Sequence, residues 1–151
     1  MPQPEKPDTT DAHADRPARR NQILVVDDGD SVRDIIRIFL EMKGFEVCGE
    51  AADGEEAIDK ARATKPDLII LDLAMPRMNG VEAAAILRRT MPGVPIVLLT
   101  MYENFLGSSL TLAGVTAVVS KTDGMDKLVA CVHSLLSRAQ IPEGGDARVT
   151  A

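Results

Sequence analysis

The sequence contains no tryptophan, one tyrosine and three phenylalanines among its 151 residues, too few aromatic faces to build a stacking platform for single-stranded nucleic acid. Positive charge is also scarce: 17 Lys and Arg stand against 23 Asp and Glu, a formal net charge of -6. Duplex binding draws on a basic stripe that neutralises phosphates, so this chain is expected to make no direct contact with nucleic acid. No apolar run approaches the roughly 18 residues of a membrane span, and the opening Met1-Pro2-Gln3-Pro4 lacks the basic start and apolar middle of a secretory signal. Those absences predict a cytoplasmic protein with no membrane insertion. Only Cys48 and Cys131 carry thiols, which excludes a disulfide framework or a thiolate metal cluster; both read as small apolar fillers.

What remains is an ordinary globular composition, 45% hydrophobic and 26% charged, with length for one domain. Residues 1–21 hold Pro2, Pro4, Pro7 and Pro17 and mixed charges that include Arg16, Arg19 and Arg20, and predict a disordered tail. Residues 22–137 form the expected domain. Beyond them Pro142 and Gly144-Gly145 predict a second tail, 138–151.

Within the domain, short apolar runs alternate with helical periodicity. Ile23-Leu24-Val25-Val26 predicts a buried strand ending on Asp27-Asp28, and Gly29-Asp30-Ser31 supplies turn and N-cap chemistry. Val32, Ile35, Ile36, Phe39 and Leu40 share one helical face up to Gly44. Residues 46–52 read as a weaker edge strand, and Asp53-Gly54 turns into a helix through Ala57, Ile58 and Ala61. The run Leu68-Ile69-Ile70-Leu71 ends on Asp72, and Pro76 prevents continuation, so Asp72 stands where a buried strand emerges into a loop. Val81, Ala84, Ala85 and Leu87 predict a third helix, and Ile96-Val97-Leu98-Leu99 a strand ending on Thr100. A fourth helix over 103–113 is interrupted by Gly107-Ser108-Ser109, poor helix formers. Residues 116–120 form a fifth strand ending on Lys121, and Leu128, Val129, Val132, Leu135 and Leu136 line a last helix, with His133 off that face. Five strands alternating with five helices predict an α/β protein with one doubly wound parallel sheet.

Parallel strands would bring Asp27, Asp28, Asp72, Thr100 and Lys121 to one edge of the sheet. Carboxylates gathered there repel one another unless a cation neutralises them. Oxygen donors with room for water select a hard ion, and few carboxylates suit Mg²⁺. An ammonium and a hydroxyl suit phosphoryl oxygens, so the set predicts Mg²⁺-assisted phosphoryl transfer to a carboxylate nucleophile.

With VVDD at 25–28, LDLAMPRMNG at 71–80, LLT at 98–100 and SK at 120–121, the chain resembles the receiver domains of two-component response regulators. The resemblance implies the flavodoxin-like strand order 2-1-3-4-5. It implies that Asp72 accepts a phosphoryl group from a sensor histidine kinase or phosphotransfer protein. Mg²⁺ would be held by Asp28 directly, Asp27 mostly through water, Asp72 and the main-chain carbonyl of Ala74, while Thr100 and Lys121 meet the phosphoryl oxygens. The fourth helix, fifth strand and fifth helix would switch, read by an unidentified downstream protein or by a second copy in a homodimer. Such a protein is no enzyme beyond its own phosphorylation and dephosphorylation. Departures from the family pattern are Thr122 where proline often follows the lysine, Val118 at the usual switch aromatic, with Tyr102 nearby, and Ala74, which offers no side chain to place a hydrolytic water. Two alternatives differ in class. A haloacid dehalogenase-type phosphatase wants an Asp where Ala74 stands, and a docking module that takes no phosphate has no need of an acidic cluster.

Overall fold

A computed structural model describes residues 21–101 and 114–139 of the chain. The expected fourth helix, Tyr102, the Arg16–Arg20 cluster and most of both expected tails lie outside the described residues. The first strand, β1 (Gln22–Val26), is followed by α1 (Asp30–Met42), β2 (Glu46–Ala51), α2 (Gly54–Thr64), β3 (Leu68–Asp72), α3 (Gly80–Thr90) and β4 (Ile96–Thr100). The last elements are β5 (Ala117–Ser120), a 3₁₀ turn over Lys121–Asp123 and α4 (Met125–Ala139). The described helices thus number four, and α4 is the helix expected to be the fifth. It runs to Ala139, past the expected boundary at 137.

All five strands are parallel, as the alternation predicts, and stand in the order β2-β1-β3-β4-β5 that the resemblance implies. β2 lies at an edge, consistent with its weak apolar pattern. Strand periodicity of two divides the core into halves. Ile23, Val25, Leu68, Ile70, Val97, Leu99 and Val119 face one side and meet α1 and α4 through Ile36, Leu40, Leu128, Val132 and Leu136. Leu24, Val26, Ile69, Leu71, Ile96 and Leu98 face the other and meet α2 and α3 mainly through Ala57, Ala61, Ala83, Ala84 and Leu87. On the helix side, large side chains fill the first half, whereas mostly alanines, with Ile58 and Leu87, line the second.

The structure corrects three local expectations. Ile35 was expected on the inner face of α1, but it is 47% exposed and continues outward with Ile38 at 49% and Met42 at 70%; only Ile36 and Leu40 of this helix are fully buried. A stripe of five apolar positions is wider than the contact, so its margin faces water. Gly29, not Asp30 or Ser31, is the N-cap of α1 and, having no side chain, makes no side-chain capping bond; its own amide donates to Asp27 Oδ1 at 2.9 Å. In α3 the buried alanines are Ala83 and Ala84, so the inward face is one residue earlier than Ala85 suggested. Cys48 and Cys131 are free and half-buried, each packed against one half of the core. Among the described residues no helix is long and apolar enough to cross a membrane.

Candidate functional site

The parallel register sets the site. Val26 pairs with Leu71 and Asp72 with Leu99, so Asp27, one residue past β1, stands level with Asp72 at the end of β3. Thr100 pairs with Ser120, which brings Lys121 one residue beyond at the same edge. β1, β3 and β4 carry buried apolar runs that give way to polar residues at their ends, so Asp27, Asp72 and Thr100 stand at the carboxyl edge of the sheet on anchored backbone.

Lys121 Nζ bridges the acids, 2.9 Å from Asp27 Oδ2 and 3.2 Å from Asp72 Oδ1. Carboxylate oxygens of Asp27, Asp28 and Asp72 all lie within 4.8 Å of one another. Asp27 and Asp72 are buried, whereas Asp28 is exposed, so the cluster opens to solvent through Asp28. Burial and the adjacent Asp27 charge push the Asp72 carboxyl up to about 6, with Lys121 opposing and Asp28 reinforcing the rise. Burial acts to lower the Lys121 ammonium, but its hydrogen bond to Asp27 and the charges of Asp72 and Asp27 outweigh that, and its pKa is raised. One ammonium therefore faces three carboxylates.

That imbalance bears on a cation. Asp27 Oδ2 is buried and faces the Lys121 ammonium at 2.9 Å. A buried carboxylate oxygen with lone pairs to spare, two further carboxylates at ligand spacing and no nitrogen or sulfur donor fit a hard, oxygen-preferring ion such as Mg²⁺. Thr100 is buried at the end of β4, and Ala74 is exposed in the loop two residues beyond Asp72.

Two features fix the backbone under Asp72. Gly80 N donates to Leu73 O at 2.8 Å, and a Cβ on Gly80 would stand 2.3 Å from the Asp72 carbonyl oxygen. Only glycine fits there. Asn79 then caps α3 by a reciprocal pair, accepting from Glu82 N while its own amide donates to Glu82 Oε1.

Comparison with known proteins decides the family: a model described as the response regulator receiver domain matches residues 23–133. The chain belongs to the response regulator receiver family. "Response regulator GacA" of Pseudomonas viridiflava is 36% identical over 114 residues, covering 74% of this chain and 53% of the relative. "Alkaline phosphatase synthesis transcriptional regulatory protein PhoP" of Bacillus subtilis is 36% identical over 124 residues, 80% of this chain and 50% of the relative. A crystal structure of a two-component response regulator of the LuxR family from Aurantimonas sp. superposes with a TM-score of 0.74 at 30% identity, covering 79% of this chain and 86% of that one. The receiver chain spans about half the length of the curated relatives it matches. The expectation of no contact with nucleic acid finds no support in this: the B. subtilis relative carries the name of a transcriptional regulatory protein.

The receiver fold brings Asp27, Asp28, Asp72 and Lys121 into one pocket and sets Thr100 at the same sheet edge. Around them stand residues that sequence reasoning passed over. Arg33 donates to the Asp27 carbonyl, pairs with Asp30 and reaches Glu50 Oε1 at 3.1 Å, tying the Asp27-Asp28 turn to α1 and β2. Asp53 caps α2 and accepts from Arg77 in the loop after Asp72 at 2.9 Å. Its carboxyl is lowered by the Glu56 amide first and by Arg77 next. The turn signal Asp53-Gly54 marks the cap, but no local pattern marks its partner 24 residues on. Among the described residues no peptide bond is cis, including the one before Thr122.

Proposed function

We propose that the chain is a phosphorylatable switch in which Asp72 takes a phosphoryl group from phosphohistidine on a sensor histidine kinase or a phosphotransfer protein. The Asp72 carboxylate attacks phosphorus, the P–N bond breaks, and the imidazole departs with the bonding pair and takes up a proton from solvent. The observation that carries this reading is the Asp72 carboxylate, buried and 3.2 Å from Lys121 Nζ inside a three-carboxylate cluster. Burial leaves the nucleophile poorly solvated and more basic than an ordinary carboxylate, yet mostly ionised at neutral pH. Lys121, already within ion-pair distance of Asp72, receives the charge of the acyl phosphate, and the Thr100 hydroxyl, ending the adjacent strand, donates to its oxygens. Asp27, Asp28, Asp72 and the Ala74 carbonyl would hold Mg²⁺, which when bound supplies positive charge for the carboxylates and the phosphoryl oxygens.

Adding charge at the end of β3 biases the neighbouring edge of the sheet. The switching surface in this reading is the segment after β4, β5 and α4, presented to a downstream protein or to a second copy. The protein turns over no other substrate; it acts on its own aspartate. Incubation with acetyl phosphate and Mg²⁺, followed by intact-mass measurement, should show a gain of one phosphoryl group that Asp72→Asn abolishes while the far-ultraviolet spectrum is kept. Undiminished labelling of that variant would place the nucleophile elsewhere.

A further inference from the structure

The loop that leaves Asp72 is fastened at its far side by a contact outside the acidic pocket. Met78 N donates to Pro76 O at 2.7 Å, with Arg77 between them at φ +66. This is a γ-turn of the strained hand, which a non-glycine residue keeps only where its surroundings impose it. One contact that holds it is visible: Arg77 Nη2 lies 2.9 Å from Asp53 Oδ2. The other oxygen of that carboxylate, Oδ1, accepts the Glu56 amide at 2.9 Å and starts α2. Asp53 is buried although Arg77 is 64% exposed, so the fixed partner is the aspartate. Met78, the next residue, rests on Gly54, where a Cβ would come within 2.9 Å of its side chain.

We infer that Arg77 is a positioning residue for the metal pocket: its pair with Asp53 holds the strained turn against α2 and thereby sets where the Ala74 carbonyl stands relative to Asp27, Asp28 and Asp72. This rests on the reading of that pocket as a Mg²⁺ site. Exposed ion pairs add little to global stability, so the effect falls on the geometry of the loop and not on the fold. The loop joins β3 to α3 with Gly80 N bonded back to Leu73 O, so residues 74–79 have their ends fixed. The Asp53 contact then decides the path between those ends.

Isothermal titration with Mg²⁺ tests it. Arg77→Asn removes the guanidinium while keeping a residue that tolerates the left-handed region, and Asp53→Asn keeps a good cap while removing the charge. Each should weaken Mg²⁺ binding about three- to fivefold. The double variant should fall no further than either single one, and Arg77→Lys should recover part of the loss. Labelling by acetyl phosphate at saturating Mg²⁺ and the melting temperature in EDTA should both stay near wild type. Wild-type Mg²⁺ affinity in both single variants would overturn the positioning role alone. So would a multiplicative loss in the double variant, or a loss of affinity matched by a loss of melting temperature. Failure of the wild-type protein to bind Mg²⁺ or to take label would instead sink the function proposed above, whatever Arg77 does.

Discussion

Replacing Asp72 should make the metal-free protein more stable. The Asp72 carboxyl titrates near 6 in the folded chain against an ordinary value of 3.8, because burial and the Asp27 charge disfavour its ionised form. Between these two values the native state binds a proton that the unfolded chain has lost. Stability therefore rises as pH falls from about 6 to about 4, and the full penalty of ionisation is present above 6. A displacement of roughly two units corresponds to about 3 kcal/mol; solvent entering beside the exposed Asp28 screens this to about 1–2 kcal/mol. Asp72→Asn removes the charge and keeps the shape. Urea and thermal unfolding in EDTA at pH 7.5 should find the variant more stable by about 1–2 kcal/mol, or about 4–8 °C in melting temperature. At pH 4, where both side chains are largely neutral, the difference should close. Mg²⁺ should then stabilise wild type more than the variant. A variant less stable than wild type at pH 7.5, or an advantage that does not change between pH 7.5 and 4, would refute the reasoning.

Lys121→Met removes the ammonium that lowers Asp72, so the Asp72 titration should move above 6 by carboxyl NMR, with about 1–3 kcal/mol lost at neutral pH that returns as the medium is acidified. Gly80→Ala forces a Cβ toward the Asp72 carbonyl oxygen and should cost about 2–3 kcal/mol in urea unfolding; wild-type stability would mean that α3 can shift. Leu87→Ala, which empties a buried position between α3 and the sheet, should cost about 2–4 kcal/mol by the same measurement. Asn79→Ala loses the side-chain half of the α3 cap, the bond from the Glu82 amide, and should cost about 1 kcal/mol.

Much of the fold was legible because its sheet is buried on both faces. Leu68 to Leu71 must be apolar at every position to sit between two helical layers, and that run exposes Asp72 as its polar terminus. Once the strands are read as parallel, strand ends converge, so Asp27 and Lys121 could be placed together despite the length of chain between them. What could not be read depends on side-chain reach. The periodicity of α1 marks an apolar stripe but not its width, so Ile35 was assigned inward. Asp27 spends one oxygen on the Gly29 amide, a choice no pattern in Gly29-Asp30-Ser31 reveals. Arg77 is an ordinary charged loop residue in sequence; only the fold brings it over the buried Asp53. The alanines of α2 and α3 read as helix formers, and only packing shows them to be the contact itself.

The missing side chain at position 80 has a mechanical meaning. Helix α3 begins in direct abutment with the peptide that carries Asp72, leaving no slack between them. In the function proposed above, a group attached to that carboxylate would have this abutment on one side and, on the other, Thr100 at the end of β4 and Lys121 one residue past β5. Under that proposal, adjustment to the added group would fall to the side of β4 and β5 and not to α3, giving the signal a direction before any partner arrives to read it.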